Sequence, residues 1–212
     1  MKEIMLYDEI GPGYYGLLDG KWMVDQLREA AGKPVRVRIN SPGGSVFEGQ
    51  AMYSALASYA PGVTVQIDAL AASAASFVAM AASRIEIAAN AMVMVHNAWG
   101  ATIGNAADHD KRAELLRKID DQLVSQYAAR TKQEPEIIRE WMAAETWMTA
   151  EESVSRGFAD AIGSPLNVKA CVRDGMFAKT PRELLAVAGS VSPRIALAAQ
   201  ARRIALAQAC HG

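Results

Sequence analysis

Three histidines stand in the 212-residue chain, His96, His109 and His211, and histidine is the side chain best suited to moving protons near neutral pH. His109 lies in a charged run and His211 beside the last residue, so only His96, closing the apolar run Met92-Val93-Met94-Val95, has a core-like setting. Upstream, Ser73 sits in Asp68-Ala69-Leu70-Ala71-Ala72-Ser73-Ala74-Ala75-Ser76-Phe77, directly after the β-branched run Val63-Thr64-Val65-Gln66-Ile67. A serine at a strand-to-helix transition can simply cap the helix. It can also be a nucleophile, where free N–H groups and the helix dipole favour developing negative charge. Serine with histidine is the equipment of acyl transfer, which further needs an orienting carboxylate and two N–H donors aimed at an oxyanion. Gly44, in the turn Asn40-Ser41-Pro42-Gly43-Gly44-Ser45, and Ala74 are the candidate donors. The Gly-x-Ser-x-Gly elbow of α/β-hydrolases is absent, since Ala71 and Ala75 hold its glycine positions. Cys171 and Cys210 have no CxxC or histidine-rich surroundings, so no metal site is expected.

The elements that must position these residues alternate between strand and helix. Residues 4–10 read as a first strand, broken by Gly11-Pro12-Gly13. Asp19 caps a helix to about residue 31, with Trp22, Met23, Leu27 and Ala30 on one face. Strict alternation over 35–39 gives a second strand, leading into the Pro-Gly-Gly turn and a helix that Pro61-Gly62 stops. The third strand spans 63–67, and the small residues after it turn helical through Phe77. Residues 85–87 and 92–96 are two more strands. This order predicts βαβ units, a mostly parallel sheet and helices on both faces.

Past His96 the character changes. The glycine-punctuated stretch 97–104 precedes a charged helix over about 105–131, whose apolar stripe is only Leu116, Ile119, Leu123 and Tyr127. Such a helix either projects to meet a partner chain or lies solvated on its own core. Pro135 opens another helix, and Thr149-Ala150-Glu151-Glu152 has the form of a capping box for a short helix ending at Gly157. A last strand falls at 158–162. Residues 166–212 read as an extension with an alanine-rich helix over 193–209.

Composition narrows the classes. With 51% hydrophobic residues the chain can bury a sizeable core, and its net charge of −1 gives no general attraction to nucleic acid or anionic membrane. Acids interrupt the first nine residues, and the run 69–82 falls short of the about 18 apolar residues of a membrane span. A soluble, cytoplasmic protein is expected.

Four segments in order, Asn40-Ser41-Pro42-Gly43-Gly44, Ala71-Ala72-Ser73-Ala74-Ala75, Met94-Val95-His96-Asn97 and Glu145-Thr146-Trp147-Met148-Thr149-Ala150-Glu151-Glu152, make the chain similar to the Clp protease proteolytic-subunit family. Within it, the chain most resembles the phage-encoded, Clp-related head maturation (prohead) proteases. The resemblance implies an α/β fold of the ClpP/crotonase-like kind, with stacked ββα units and a projecting handle helix. It makes 1–165 the protease domain and leaves 166–212 without a role. It implies a serine endopeptidase with Ser73 as nucleophile, His96 as base and Glu145 as third member of the triad. The Gly44 and Ala74 N–H groups form the oxyanion hole, and Gly43, Trp99 and Gly100 contact substrate. No cofactor is implied. The family pattern usually has aspartate where Glu145 stands, and glutamate's extra methylene changes the distance the backbone must set. Asp160 competes with Glu145 as the acid, and Ser76 with Ser73 as nucleophile.

The same resemblance makes 97–104 a mobile, strand-like edge able to pair with an extended peptide. It makes 105–131 a handle between stacked rings. A ring homo-oligomer is then expected, in the family two stacked heptamers, acting on capsid or scaffold proteins. Three other readings stand beside this one. The first is a general proteolytic subunit fed by an AAA+ ATPase, and the second a catalytically idle, scaffold-binding ring component. The third is an acyl-thioester enzyme of the related crotonase-like fold.

Overall fold

The computed structural model describes residues 1–11, 18–170, 172 and 175–187, the last three by backbone alone. Strands β1 (Lys2–Leu6), β2 (Val35–Ser41), β3 (Val63–Ala72), β4 (Arg84–Ala88) and β7 (Ala161–Gly163) lie side by side in that order, all parallel. Helices α1 (Gly20–Glu29), α2 (Val46–Ala57) and α3 (Ala74–Ala79) fall in the connections, and α1, α2 and α3 pack on one another in sequence. The side chain of Asp19 accepts the Trp22 N–H and that of Ser45 the Glu48 N–H, so α1 and α2 begin at capping residues.

One departure from the sequence reading shapes the whole site. The chain does not turn helical after Ile67; β3 continues five residues further, to Ala72. Its lower half pairs with β4 through Thr64↔Arg84 to Ile67↔Ile87. Its upper half pairs instead with β5 (Met92–Val95), through Leu70↔Met92 to Ala72↔Met94. Alanines lack a strand signal of their own, and here the β5 ladder supplies it. The β2–β3 register jumps from Ile39↔Ile67 to Ser41↔Ala71, so β3 carries two extra residues where the two halves meet. Strand β6 (Thr146–Met148) closes the upper sheet antiparallel to β5.

The lower sheet has one dry face. Val35, Val37, Val65, Ile67, Ile85 and Ile87 are buried in the core, while Arg36, Arg38, Thr64, Gln66 and Glu86 alternate with them and stay partly exposed. Helices therefore form one layer over this part, not the expected two. At the junction of the halves, fully buried Asp68 accepts from Arg38 Nε at 2.8 Å and from the Tyr7 hydroxyl.

Helix α4 (Ala106–Thr131) opens on a capping box between Asn105 and Asp108, and its buried residues begin only at Ile119. The first three turns bury no residue fully, and Arg112 and Leu116 are the partly buried side chains there that line the cleft described below. Helix α5 (Pro135–Ala143) and the Thr149–Glu152 capping box of α6 (Ala150–Ser155) follow as expected. The last strand begins three residues later than anticipated, because Phe158 goes into the core. Residues 97–104 contain no strand.

Beyond residue 165 the chain continues over the upper sheet. Asn90 exchanges hydrogen bonds with the Leu166 backbone, and Asn40 Nδ2 donates to Lys169 O. Ala170 and Val172 are buried with Ala69, Leu70, Ala72 and Met94, and Val168, Met176, Phe177 and Leu184 of α7 (Arg182–Val187) pack on this group. The expected helix over 193–209, with Cys210 and His211, lies outside the described residues.

Candidate active site

Ser73 stands where β3 gives way to α3, in a backbone conformation unusual for a side-chain-bearing residue, φ 53° and ψ −126°. Its N–H is held by Met94 O of β5 at 2.9 Å. By position it is the N-cap of α3, yet its side chain makes no cap hydrogen bond. The hydroxyl points instead to His96, with Oγ 2.8 Å from Nε2. A capping serine would turn its oxygen onto the N–H of the second or third helical residue, so the plain structural reading of Ser73 is not the one adopted. Ser76 is fully buried, donating to Ser73 O at 2.6 Å and meeting the Tyr127 hydroxyl of α4 at 2.7 Å. It braces the turn and faces no cleft.

His96 follows β5 directly, and the chain leaving it is pinned. Asn97 N–H donates to Met142 O at 3.2 Å and Ala98 N–H to Asp120 Oδ1 at 2.7 Å. Burial holds the His96 pKa below the ordinary 6.5, and the Glu145 charge offsets part of that shift. The imidazole is therefore neutral at pH 7, as a general base must be.

The Pro-Gly-Gly turn faces the serine. Ile10 straps it, its N–H donating to Gly43 O and its O accepting from Ser45 N–H, each at 2.7 Å. A parallel bridge of this kind uses the groups on either side of Gly44 and turns the Gly44 N–H away from Ile10. Neither the Gly44 nor the Ala74 N–H is a donor in the turn, loop or cap hydrogen bonds of the described residues. Both glycines are required by geometry. A Cβ at Gly43 (φ +86°) would lie 2.5 Å from Ala72 O and 2.7 Å from Ala74 N, and one at Gly44 2.0 Å from Ile10 O.

Glu145 sits just past α5 with φ 50°. Its carboxylate accepts from Trp147 Nε1 at 3.3 Å and from the N–H groups of Ala178 (2.9 Å) and Lys179 (2.5 Å). His96 is not among the hydrogen-bond donors to Glu145, although the carboxylate is near enough to raise its pKa. Asp160 lies elsewhere. It accepts from Ile85 N–H near the start of β4 and from Arg130, and although burial works against the charged form, these bonds hold its pKa below the usual carboxylate value. It is an anchor for α4.

A cleft of about 490 Å³ opens beside the serine, lined by Gly43, Gly44, Ser73, Ala74, His96 and Trp99 among others. Trp99 is 75% exposed at its rim. Gly100 is not in the lining and sits under the Arg112 guanidinium. Phe177 also lines the cleft and meets the His96 ring edge-on at 5.4 Å. Nothing in Gly175-Met176-Phe177-Ala178-Lys179-Thr180-Pro181 marks it as more than a turn. No helix among the described residues is long and apolar enough to cross a membrane.

A serine hydroxyl on a neutral histidine, at a helix start and opposite free backbone amides, is equipment for hydrolysis by acyl transfer. The chain belongs to the Clp protease family, whose model matches residues 4–165. Over 135 residues it is 33% identical to the ATP-dependent Clp protease proteolytic subunit 1 of Chlamydia abortus, covering 62% of this chain and 70% of that protein. The subunit of the same name from Chlamydia pneumoniae matches at 33% over 135 residues, 62% of this chain and 71% of its own length. Membership makes the chain a serine-type peptidase by family and goes against the acyl-thioester reading.

Proposed function

We propose that the chain is a serine endopeptidase working through an acyl-enzyme, with Ser73 as nucleophile and His96 as base and then acid to the leaving amine. The observation that carries this is the 2.8 Å contact between Ser73 Oγ and His96 Nε2 at the cleft, made by a serine that forgoes its cap bond. Glu145 supplies the charge that stabilises the imidazolium, and the Gly44 and Ala74 N–H groups receive the oxyanion. Gly43 and Trp99 flank the peptide, with the 97–104 edge beside it. Residues 1–165 form the protease unit, and the first turns of α4 mediate assembly into a ring of identical subunits. The substrates are capsid or scaffold proteins in the cytoplasm of a phage-infected cell. A second reading, general proteolysis alongside an AAA+ ATPase, is favoured by the likeness to the Chlamydia subunits, which belong to an ATP-dependent Clp protease.

Ser73→Ala decides the chemistry. Peptide hydrolysis falls by roughly 10⁴-fold or more, to the background sustained by the oxyanion donors and binding, and labelling by a fluorophosphonate disappears. Retained activity in Ser73→Ala removes Ser73 from the mechanism and defeats the proposal, whereas an unmodified protein that neither hydrolyses peptide nor takes the label leaves the idle-ring reading. Incubating the active protein with capsid precursor, and separately with an unfolded protein plus ATPase and ATP, separates the two substrate classes.

A further inference from the structure

The family match ends at residue 165, yet the described chain beyond it returns to the site. Ala178 N–H donates to Glu145 Oε2 and Lys179 N–H to Oε1, so two consecutive amides hold the two oxygens of one carboxylate. The Lys179 ammonium bonds Ala144 O at 2.5 Å, tying the same segment to the residue before Glu145. Phe177 stands edge-on to both the His96 ring (5.4 Å) and the Trp147 ring (5.7 Å). Glutamate has one more rotatable bond than the aspartate usual in this family position, so its carboxylate needs more external fixing to present a constant face to an imidazole. Charge-assisted bonds from two main-chain donors give that fixing, because neither donor has rotamers of its own to lose.

We propose that residues 176–180 are positioning residues of the active site, with the Ala178 and Lys179 amides orienting Glu145 and Phe177 orienting and screening His96. This rests on the Ser73–His96–Glu145 reading above. It turns part of the extension from an appendage into a component that lets glutamate serve in place of aspartate. The rival reading of the same contacts is a plug, since Met176 and Phe177 line the cleft and could obstruct it. The two readings predict opposite signs.

The test uses the full chain carrying Lys179→Pro, which deletes one clamping N–H, or Phe177→Ala, with a fluorogenic peptide assayed across pH. Positioning predicts that kcat falls tenfold or more in both while KM stays within about twofold. The acidic limb moves in opposite directions. In Lys179→Pro it shifts to lower pH, because Glu145 is less closely held to support protonated His96. In Phe177→Ala it shifts to higher pH, because the ring loses burial. A rise in kcat in either variant shows a plug and overturns the proposal. So does unchanged kcat with an unmoved limb in a protein that keeps its melting temperature. If Lys179→Pro fails to fold, the kcat and limb of Phe177→Ala decide alone. Fluorophosphonate labelling of the unmodified chain separates the failures: no labelling removes the triad reading and this proposal together, whereas labelling with unaffected variants removes only this proposal.

Discussion

Gly43→Ala adds one methyl group to the turn that faces Ser73, and its effect can be worked from distances. The new Cβ would stand 2.5 Å from Ala72 O, 2.7 Å from Ala74 N and 2.8 Å from Ser73 Cβ. Two of these neighbours are backbone and the third is fixed to it, so no flexible side chain can yield. Ordinary contact begins at 3.4 Å, so the closest pair must separate by 3.4 − 2.5 = 0.9 Å, moving the Gly44 and Ala74 amides apart. A misplacement of about 1 Å in a reacting constellation costs on the order of 10²-fold, and complete loss of one oxyanion donor about 10²–10³-fold. Holding alanine at φ +86° costs a further ~1–2 kcal/mol of stability, roughly 5 °C in melting temperature for a chain of this size. The expected result is therefore a folded protein whose kcat is down roughly 100-fold or more, with KM little changed. Steady-state hydrolysis of a fluorogenic peptide and the rate of fluorophosphonate labelling both read it. A folded Gly43→Ala protein within threefold of the parent would refute the placement of the oxyanion donors.

Activity should fall as pH drops through the His96 pKa, which burial places below 6.5, since protonation removes the base; an activity still rising as pH falls to 5 would exclude His96 from that role. Glu145→Gln removes the charge that raises this pKa, so the acidic limb moves lower while kcat falls steeply. Asp160→Asn serves as the control and should cost stability rather than shift the limb. Tyr127→Phe deletes the 2.7 Å contact to Ser76 but leaves Ser76 bonded to Ser73 O. It should destabilise the protein by about 1 kcal/mol, visible by denaturant titration, and change kcat far less than Gly43→Ala does.

What could be read from the sequence was what local chemistry decides. Asp19 and Thr149 announce their helices because a side-chain oxygen three residues ahead of a free N–H has one good use. Strand β2 announces itself by Val35, Val37 and Ile39 alternating with Arg36 and Arg38. The same alternation matches the single dry face of the lower sheet, which the general rule of helices on both faces of a parallel sheet does not. What could not be read was decided at a distance. Ala69, Ala71 and Ala72 suit helix as well as strand, and pairing with β5, more than twenty residues away, and with Ser41 of β2 keeps this stretch extended. The Ala178 and Lys179 amides reach Glu145 from more than thirty positions away, in a segment with no periodicity to give it away.

Backbone strain separates structural from chemical demands in this chain. Among the described residues, four without a glycine's freedom have positive φ: Ala31, Ser73, Lys132 and Glu145. Three of them lie at or just past the ends of α1, α4 and α5, where a left-handed residue is the common way to stop a helix and where glycine would serve at less cost. At position 145 that cheaper residue would have no carboxylate, so the helix end carries a side chain it does not need for stopping. Ser73 differs again. Its ψ of −126° is outside the left-handed helical well, and it begins a helix instead of ending one. The Met94 O bond below it and the Ser76 bond to its carbonyl hold the turn in that shape. Relaxing the turn into an ordinary N-cap would recover the cap hydrogen bond and release the strain, but it would take Oγ from Nε2 of His96. The geometry is costly for folding and keeps Oγ on the His96 ring, which is the arrangement the proposed acyl transfer needs.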